Sequence, residues 1–129
     1  MRAQIRAIGS SSVVHVLFAF CAMGGWAVFA NREYPMPRPL ISGVVQGALS
    51  ACLTLFLKSA VEFLSSRFSG LSVYWAPPLI ACIVSTGILV AIHSISGTPE
   101  ILKTIALPLL VSSSYAAIYN YSIAGKRGA

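Results

Sequence analysis

Apolar side chains fill four long stretches of the chain, and short segments with proline, glycine or charged residues separate them. A helix rises about 1.5 Å per residue, so each stretch is long enough to cross a hydrocarbon layer of about 30 Å. The pattern predicts an all-α, polytopic membrane protein with transmembrane helices at about residues 11–30, 40–66, 77–94 and 99–122. We expect these helices to form two helical hairpins within a single domain that covers residues 1–129.

The composition agrees with this prediction and excludes several classes of protein. Hydrophobic residues make up 57% of the sequence and charged residues 9%, a balance that is unusual for soluble domains. Aspartate is absent, which removes aspartate dyads and aspartate-based metal sites. No serine or cysteine has a convincing base nearby, so we expect no enzyme activity, no cofactor and no bound metal.

The segments between the apolar stretches give signals for where helices begin. Residues 31–39 read NREYPMPRP, and the alternating prolines predict an extended, stiff connector. Pro77 and Pro78 are expected to open the third span, because amides in the first helical turn have no helical partner. Thr98 precedes a proline and a glutamate, so its hydroxyl is the predicted N-cap of a fourth helix that begins near Pro99.

Basic residues predict the orientation of the chain. An even number of spans places both termini on one side, and basic residues concentrate on the cytoplasmic side of membrane proteins. The side with the termini carries Arg2, Arg6, Arg67, Lys126 and Arg127, and the opposite side carries Arg32, Arg38 and Lys103. We therefore expect an integral protein of the bacterial inner membrane with cytoplasmic termini. The net charge of +6 then favours anionic lipid head groups over nucleic acid.

Small residues form a stripe along the second predicted helix. Gly43, Gly47, Ser50 and Thr54 recur at spacings of three or four, which places them on one helical face. Small residues and hydroxyls allow helices to approach closely in a membrane. This helix-packing face serves either packing inside one protomer or contact with a second copy or a larger membrane protein.

Four polar residues are predicted to meet at one depth near the side of the termini. They are His15, Lys58, Glu62 and Asn120. Lys58 and Glu62 are one helical turn apart, and charges inside a membrane span are costly. Either they form an interfacial ion pair with Lys58 reaching water, or the group is an intramembrane site that exchanges a proton or binds a charged head group.

A second group of basic residues is predicted at the opposite side. Arg32, Arg38 and Lys103, with His93 nearby, form an outer basic collar that either contacts phosphate head groups or is solvated loop charge. His15 and His93 lie on opposite sides and are not expected to share a metal. Gln46, beside the small-residue stripe, is expected to make a hydrogen bond between helices.

In length and number of predicted helices, the chain looks like the small multidrug resistance transporters, which work as pairs. It departs from their pattern because its first span lacks a membrane-embedded glutamate and Glu62 lies elsewhere. Four short helices enclose too little volume for a gated pathway. We therefore expect an oligomeric transporter or flippase-like unit for a small charged or amphiphilic, lipid-like solute. The alternative is a non-catalytic subunit that stabilises or positions a larger membrane enzyme or transport complex through the Gly43–Thr54 face.

Overall fold

The computed structural model describes the backbone of residues 2–128 and the side chains of residues 12–126. In that part of the chain four helices follow one another, namely α1 (Arg2–Ala30), α2 (Arg38–Ser65), α3 (Ser72–Ser96) and α4 (Ile101–Gly128). Each contains a segment long and apolar enough to cross a membrane: Ser12–Ala30, Arg38–Ser65, Ser72–Ser96 and Ile101–Lys126. The predicted all-α, multi-pass architecture is therefore confirmed. The side chains of Arg2, Arg6 and Arg127, used to predict orientation, lie outside the described residues.

The helices form two hairpins. The first hairpin is α1 with α2, and the second hairpin is α3 with α4. Both α2 and α4 contact every other helix, whereas among the described residues α1 and α3 do not contact each other. We call the end with the connectors 31–37 and 97–100 the hairpin end, and the end with the connector 66–71 and the chain termini the terminal end.

Glycines hold the first hairpin together. A Cβ atom on Gly24 would lie 2.8 Å from the carbonyl oxygen of Gly43, and one on Gly47 would lie 2.9 Å from that of Phe20. These distances leave no room for a side chain, so α1 and α2 pack backbone against backbone. The predicted packing face therefore meets α1 of the same chain at Gly43 and Gly47. Gly43, Gly47 and Ser50 are buried, whereas Thr54 is exposed.

A polar side chain holds the second hairpin together. Pro77 and Pro78 lie inside α3, so the prediction that they open the third span is wrong. Proline has no amide hydrogen, which leaves the carbonyls of Val73 and Tyr74, four residues earlier, without helical partners. Asn120 of α4 donates Nδ2–H to both carbonyl oxygens, at 2.8 and 3.2 Å. The helix extends upstream of its prolines because its neighbour replaces the missing donors.

The connector of the first hairpin is a series of turns. The Tyr34 amide donates to the Asn31 carbonyl at 3.2 Å, and the Arg38 amide donates to the Pro35 carbonyl at 3.1 Å. The prediction of an extended connector is therefore wrong. Proline restricts its own φ and the preceding residue, but hydrogen bonds between residues three apart, such as Pro35 and Arg38, still close turns here.

The predicted N-cap of the fourth helix is also wrong. The first hydrogen bond of the helical pattern is donated by the Thr104 amide to the carbonyl of Glu100 at 2.9 Å. The Glu100 amide in turn donates to Oδ1 of Asn31 at 2.9 Å. Thr98 does not cap because its hydroxyl binds the ring of His93. A residue from the first hairpin therefore caps α4.

Candidate functional site

A cavity of about 460 Å³ lies between α1, α2 and α4. We call it the cleft. Most of its wall is apolar, with Phe18 and Met23 from α1 and Leu53 and Leu57 from α2 among its lining residues. Its polar lining residues are His15, Ser50, Thr54, Ser112 and Tyr115.

The cleft is closed toward the hairpin end by contacts between α1 and α4. Trp26 Nε1–H donates to the carbonyl of Lys103 at 2.8 Å. Asn31 Nδ2–H donates to the hydroxyl of Thr104 at 2.7 Å. Nearer the terminal end, His15 of α1 and Tyr115 of α4 belong to the walls of the cavity. Helices α1 and α4 are thus fastened to each other at the hairpin end and form facing walls of the cleft nearer the terminal end. There α2 still packs against α3 and α4 through the buried side chains Leu57, Val61, Ala81 and Ala116.

Glu62 interacts with two groups beside the cleft. The hydroxyl of Tyr119 donates a hydrogen bond to Glu62 Oε1. Tyr115, which lines the cleft, stacks on Tyr119 with ring centroids 5.7 Å apart. Lys58 Nζ lies 3.9 Å from the same carboxylate oxygen, and the two side chains are 62% and 46% exposed. A hydrogen bond to a charged oxygen is stronger than a long, exposed ion pair, so Tyr119 is the firmer partner of Glu62.

Three of the four residues predicted to form the intramembrane site lie around the terminal part of the cleft. His15 lines it. Lys58 follows Thr54, another lining residue, by one helical turn and on nearly the same face. Glu62 is joined to the cleft wall through Tyr119 and Tyr115.

Asn120 does not join this group, which corrects the predicted cluster. It is buried and binds the backbone of α3. Neighbouring residues on a helix point about 100° apart, so Tyr119 can face α2 only if Asn120 faces elsewhere. The sequence signal for the missed partner was the spacing of Tyr115 and Tyr119, which places two phenols on one face.

A chain of buried hydrogen bonds links α2 to the end of α3. His93 Nε2 lies 2.7 Å from Gln46 Oε1, and His93 Nδ1 lies 2.6 Å from the hydroxyl of Thr98. Gln46 Nε2–H donates to Ser50 at 2.9 Å, and the Ser42 hydroxyl donates to Thr98 at 3.3 Å. We call these residues the His93 chain. The predicted interhelical bond of Gln46 is confirmed. His93, predicted to lie near the outer collar, is fully buried.

The remaining collar residues lie at the hairpin end with separate surroundings. The guanidinium of Arg32 stacks over Phe29, 3.9 Å from its ring centroid, and its Nε lies 3.4 Å from Glu33 Oε1. Arg38 is the first residue of α2, and Lys103 lies in the first turn of α4. Their joint action as an anion-binding collar stays a prediction.

Between these basic residues, Tyr34 donates to Glu100 Oε1 at 3.0 Å. This hydrogen bond, together with the negative charge of Glu100, raises the pKa of Tyr34. The bond joins the connector of the first hairpin to the start of α4, beside the cap that Asn31 provides.

No protein-family model matches the sequence, and comparison with curated proteins and with solved structures gives no significant match.

Proposed function

We propose that the protein binds a lipid-like amphiphile with an anionic head in the cleft and moves it across the membrane, as a transporter or flippase-like unit. The cleft carries this proposal. Its walls are apolar over most of their length. Lys58 is not one of its lining residues, but it follows the lining residue Thr54 by one helical turn. Its volume of about 460 Å³ falls in the range of about 300–1,000 Å³ that is usual for ligand sites.

Polar groups decide what such a site selects. Lipid tails are as apolar as leucine, so moving a hydrocarbon chain from bilayer to cleft yields little free energy. The Lys58 ammonium attracts phosphate or carboxylate, and its only close carboxylate among the described residues is 3.9 Å away and bound by Tyr119. An anionic head can therefore approach Lys58 without breaking a short ion pair. His15 and Tyr115 add hydrogen-bonding groups at the same depth.

The oligomeric state and orientation belong to the same proposal. One protomer encloses too little volume for a gated pathway, so we propose that copies assemble around or beside their clefts. The predicted excess of basic residues on the side of the termini supports a location in the bacterial inner membrane with cytoplasmic termini. The head of the solute would then bind at the cytoplasmic side.

The alternative proposal is a non-catalytic subunit that stabilises or positions a larger membrane complex. It uses the face from Gly43 to Thr54, and α1 covers Gly43 and Gly47 of that face within the protomer. No other described contact favours a larger partner over lipid.

The experiment measures lipid movement in vesicles. Purified protein is reconstituted into phosphatidylcholine vesicles that contain a trace of fluorescent NBD-phosphatidylglycerol or NBD-phosphatidylcholine. Dithionite then bleaches whatever label reaches the outer leaflet. We expect the protein to move the anionic probe faster than protein-free vesicles do and faster than the zwitterionic probe.

Two variants localise the activity. Lys58→Gln is expected to slow movement of the anionic probe about tenfold, the loss of about 1.4 kcal/mol of interaction. Glu62→Gln is expected to reduce it also while the protein still folds. Glu33→Gln is the matched control, because it removes an exposed ion pair remote from the cleft. If the wild type moves neither probe, or Lys58→Gln moves both as the wild type does, the proposal is wrong.

A further inference from the structure

His93 is an ionisable residue inside a membrane span, and its side chain is 0% exposed. Such residues are rare and mark functional sites more often than ordinary packing positions. Both ring nitrogens have partners, Thr98 at Nδ1 and Gln46 at Nε2. The identities of those partners determine where the ring carries its proton.

The hydrogen bonds have one consistent direction when His93 is neutral. An amide oxygen only accepts, so Nε2 carries the hydrogen that points to Gln46 Oε1. Nδ1 is then an acceptor, and the Thr98 hydroxyl donates to it. Ser42 donates to Thr98, and Gln46 donates to Ser50. Every member of the chain is satisfied in this state.

A proton can reach Nδ1 through the two hydroxyls. A proton that arrives at the Ser42 oxygen displaces the Ser42 hydrogen to Thr98, and the Thr98 hydrogen moves to His93 Nδ1. Both hydroxyls stay neutral, no bond between heavy atoms changes, and His93 gains one proton and one positive charge. The return of that proton to water reverses the same steps.

The hairpin end supplies an entrance for this route. A pocket of about 320 Å³ is lined by Ile41 and Gly97, the chain neighbours of Ser42 and Thr98, and by Arg38. The pocket therefore lies one residue along the chain from both Ser42 and Thr98. Ser42 and Thr98 are themselves buried behind these lining residues, so a proton must pass the pocket wall to reach Ser42.

On the Gln46 side of the ring, the proton route ends at His93. Gln46 is an amide, and an amide does not readily accept and release a proton as a hydroxyl or imidazole does. Beyond Gln46 the chain reaches Ser50, which lines the cleft. The chain therefore carries a charge close to the cleft wall without a path for protons into the cleft.

We propose that His93 is a proton-binding site that is loaded from the hairpin end through Ser42 and Thr98 and that lies behind the cleft wall formed by Ser50. The proposal is independent of which solute occupies the cleft. A positive charge on His93 favours an anion on the cleft side of Ser50, and loss of the proton removes that attraction.

Few charged groups compete with this proton. The hydrogen-bond partners of His93 are all uncharged, and α3 has no lysine, arginine, aspartate or glutamate. From the elements packed against it, α2 contributes Arg38 one turn before Ser42, and the start of α4 contributes Glu100 and Lys103. Glu100 favours the protonated ring, and the two cations oppose it.

The test is a nitrogen NMR titration of the full chain in lipid nanodiscs. The sequence has 2 histidines, so ¹⁵N-histidine labelling of a His15→Gln variant reports on His93 alone. At high pH we expect one protonated ring nitrogen, Nε2, and one unprotonated nitrogen, Nδ1. As the pH falls, the unprotonated signal should be lost while the protein stays folded. If it persists until the protein unfolds, the proposal is overturned.

Paired variants test the route. Thr98→Val removes the hydroxyl but keeps the shape, and it should slow proton exchange at Nδ1 by about tenfold or more, whereas Thr98→Ser should behave as the parent. Ser42→Ala gives an independent reading if Thr98→Val does not fold. Exchange at the parental rate in both Thr98→Val and Ser42→Ala would overturn the route.

Proteoliposomes that contain a pH-sensitive dye test the end of the route. Under an imposed pH gradient, we expect no proton leak above that of protein-free vesicles. A leak through the wild type that Gln46→Leu abolishes would show that protons pass Gln46, and it would overturn the proposal.

Discussion

The two hairpins have the same plan but are held together by different means. In the first hairpin the absence of side chains brings two backbones into contact, with Gly24 facing Gly43. In the second hairpin the helices meet through a side chain, because Asn120 binds two carbonyls that prolines have left free. Both solutions suit a membrane, where hydrocarbon offers neither hydrophobic attraction between helices nor hydrogen bonds to an exposed backbone.

The difference determines what each hairpin tolerates. A glycine contact fails when any atom is added, whereas a hydrogen-bonded contact fails when a donor is removed. The first hairpin is therefore destabilised by added atoms, and the second by the loss of a hydrogen-bond donor. Two substitutions test these contacts within the hairpins, and two more test groups outside them, in falling order of expected effect on stability.

The largest effect is expected from Gly24→Ala. The new Cβ would lie 2.8 Å from a backbone oxygen of α2, so the first hairpin must separate, at a cost of about 3 kcal/mol. Gly25→Ala is the matched control, because a Cβ there meets nothing within 4 Å and alanine is the better helix former by about 0.5–1 kcal/mol. Unfolding in denaturant, followed by circular dichroism, measures both. Equal effects of the two substitutions would contradict the glycine contact.

The next effect is expected from Asn120→Leu. It leaves the carbonyls of Val73 and Tyr74 unpaired, and each buried unsatisfied group costs about 1–3 kcal/mol. It also removes the buried Oδ1 of Asn120, which has no hydrogen-bond partner, so we expect a net cost near the low end, about 2 kcal/mol. In a Pro77→Ala, Pro78→Ala background the helix supplies its own amides, and the same substitution should cost less than half as much. A double-mutant cycle on unfolding free energies gives the difference. An unchanged cost would mean that Asn120 stabilises the hairpin in another way.

A smaller effect is expected where the hairpins are fastened to each other. Trp26→Phe keeps an aromatic ring but removes the hydrogen bond to the Lys103 carbonyl, at a cost of about 1 kcal/mol. Because this bond closes the cleft at the hairpin end, spin labels placed on α1 and α4 should also move apart. Phe56→Leu, at an exposed position on α2, should leave that distance unchanged.

The smallest effect on stability is expected from Lys58→Gln. An exposed ion pair at 3.9 Å contributes less than about 0.5 kcal/mol, so its loss should change the free energy of unfolding very little. This outcome would separate Lys58 from the residues that hold the hairpins together. A cost above about 1 kcal/mol would instead indicate that Lys58 stabilises the helix packing, and it would weaken its proposed role in binding.

The spans were predictable from sequence because length and apolarity alone decide what crosses a membrane. Helix ends were harder to predict. Nothing near Pro77 indicates that α3 begins at Ser72, because the compensating Asn120 is more than forty residues away in the chain. Thr98 had the local pattern of a cap, but its hydroxyl binds His93 instead. In both places a tertiary hydrogen bond replaced the local one that the sequence suggested.

For the candidate site, the sequence predicted only the depth of its residues along the helices, not the direction of their side chains. Topology places His15, Lys58, Glu62 and Asn120 at similar levels, but level does not fix direction. Neighbouring side chains on a helix point about 100° apart, so Asn120 contacts α3 while Tyr119 contacts Glu62 of α2. The burial of His93 had no sequence signal, since a histidine near a helix end is as compatible with a loop surface as with a core.

Asn31 has a consequence for how the chain assembles in the bilayer. Its side-chain oxygen accepts a hydrogen bond from the Glu100 N–H, and its Nδ2–H donates one to the Thr104 hydroxyl. A residue of the first hairpin therefore completes the hydrogen bonding at the amino terminus of α4. Were the later half inserted alone, the Glu100 N–H would lose the acceptor that Asn31 provides. The start of α4 therefore reaches its full set of hydrogen bonds only when the first hairpin lies beside it.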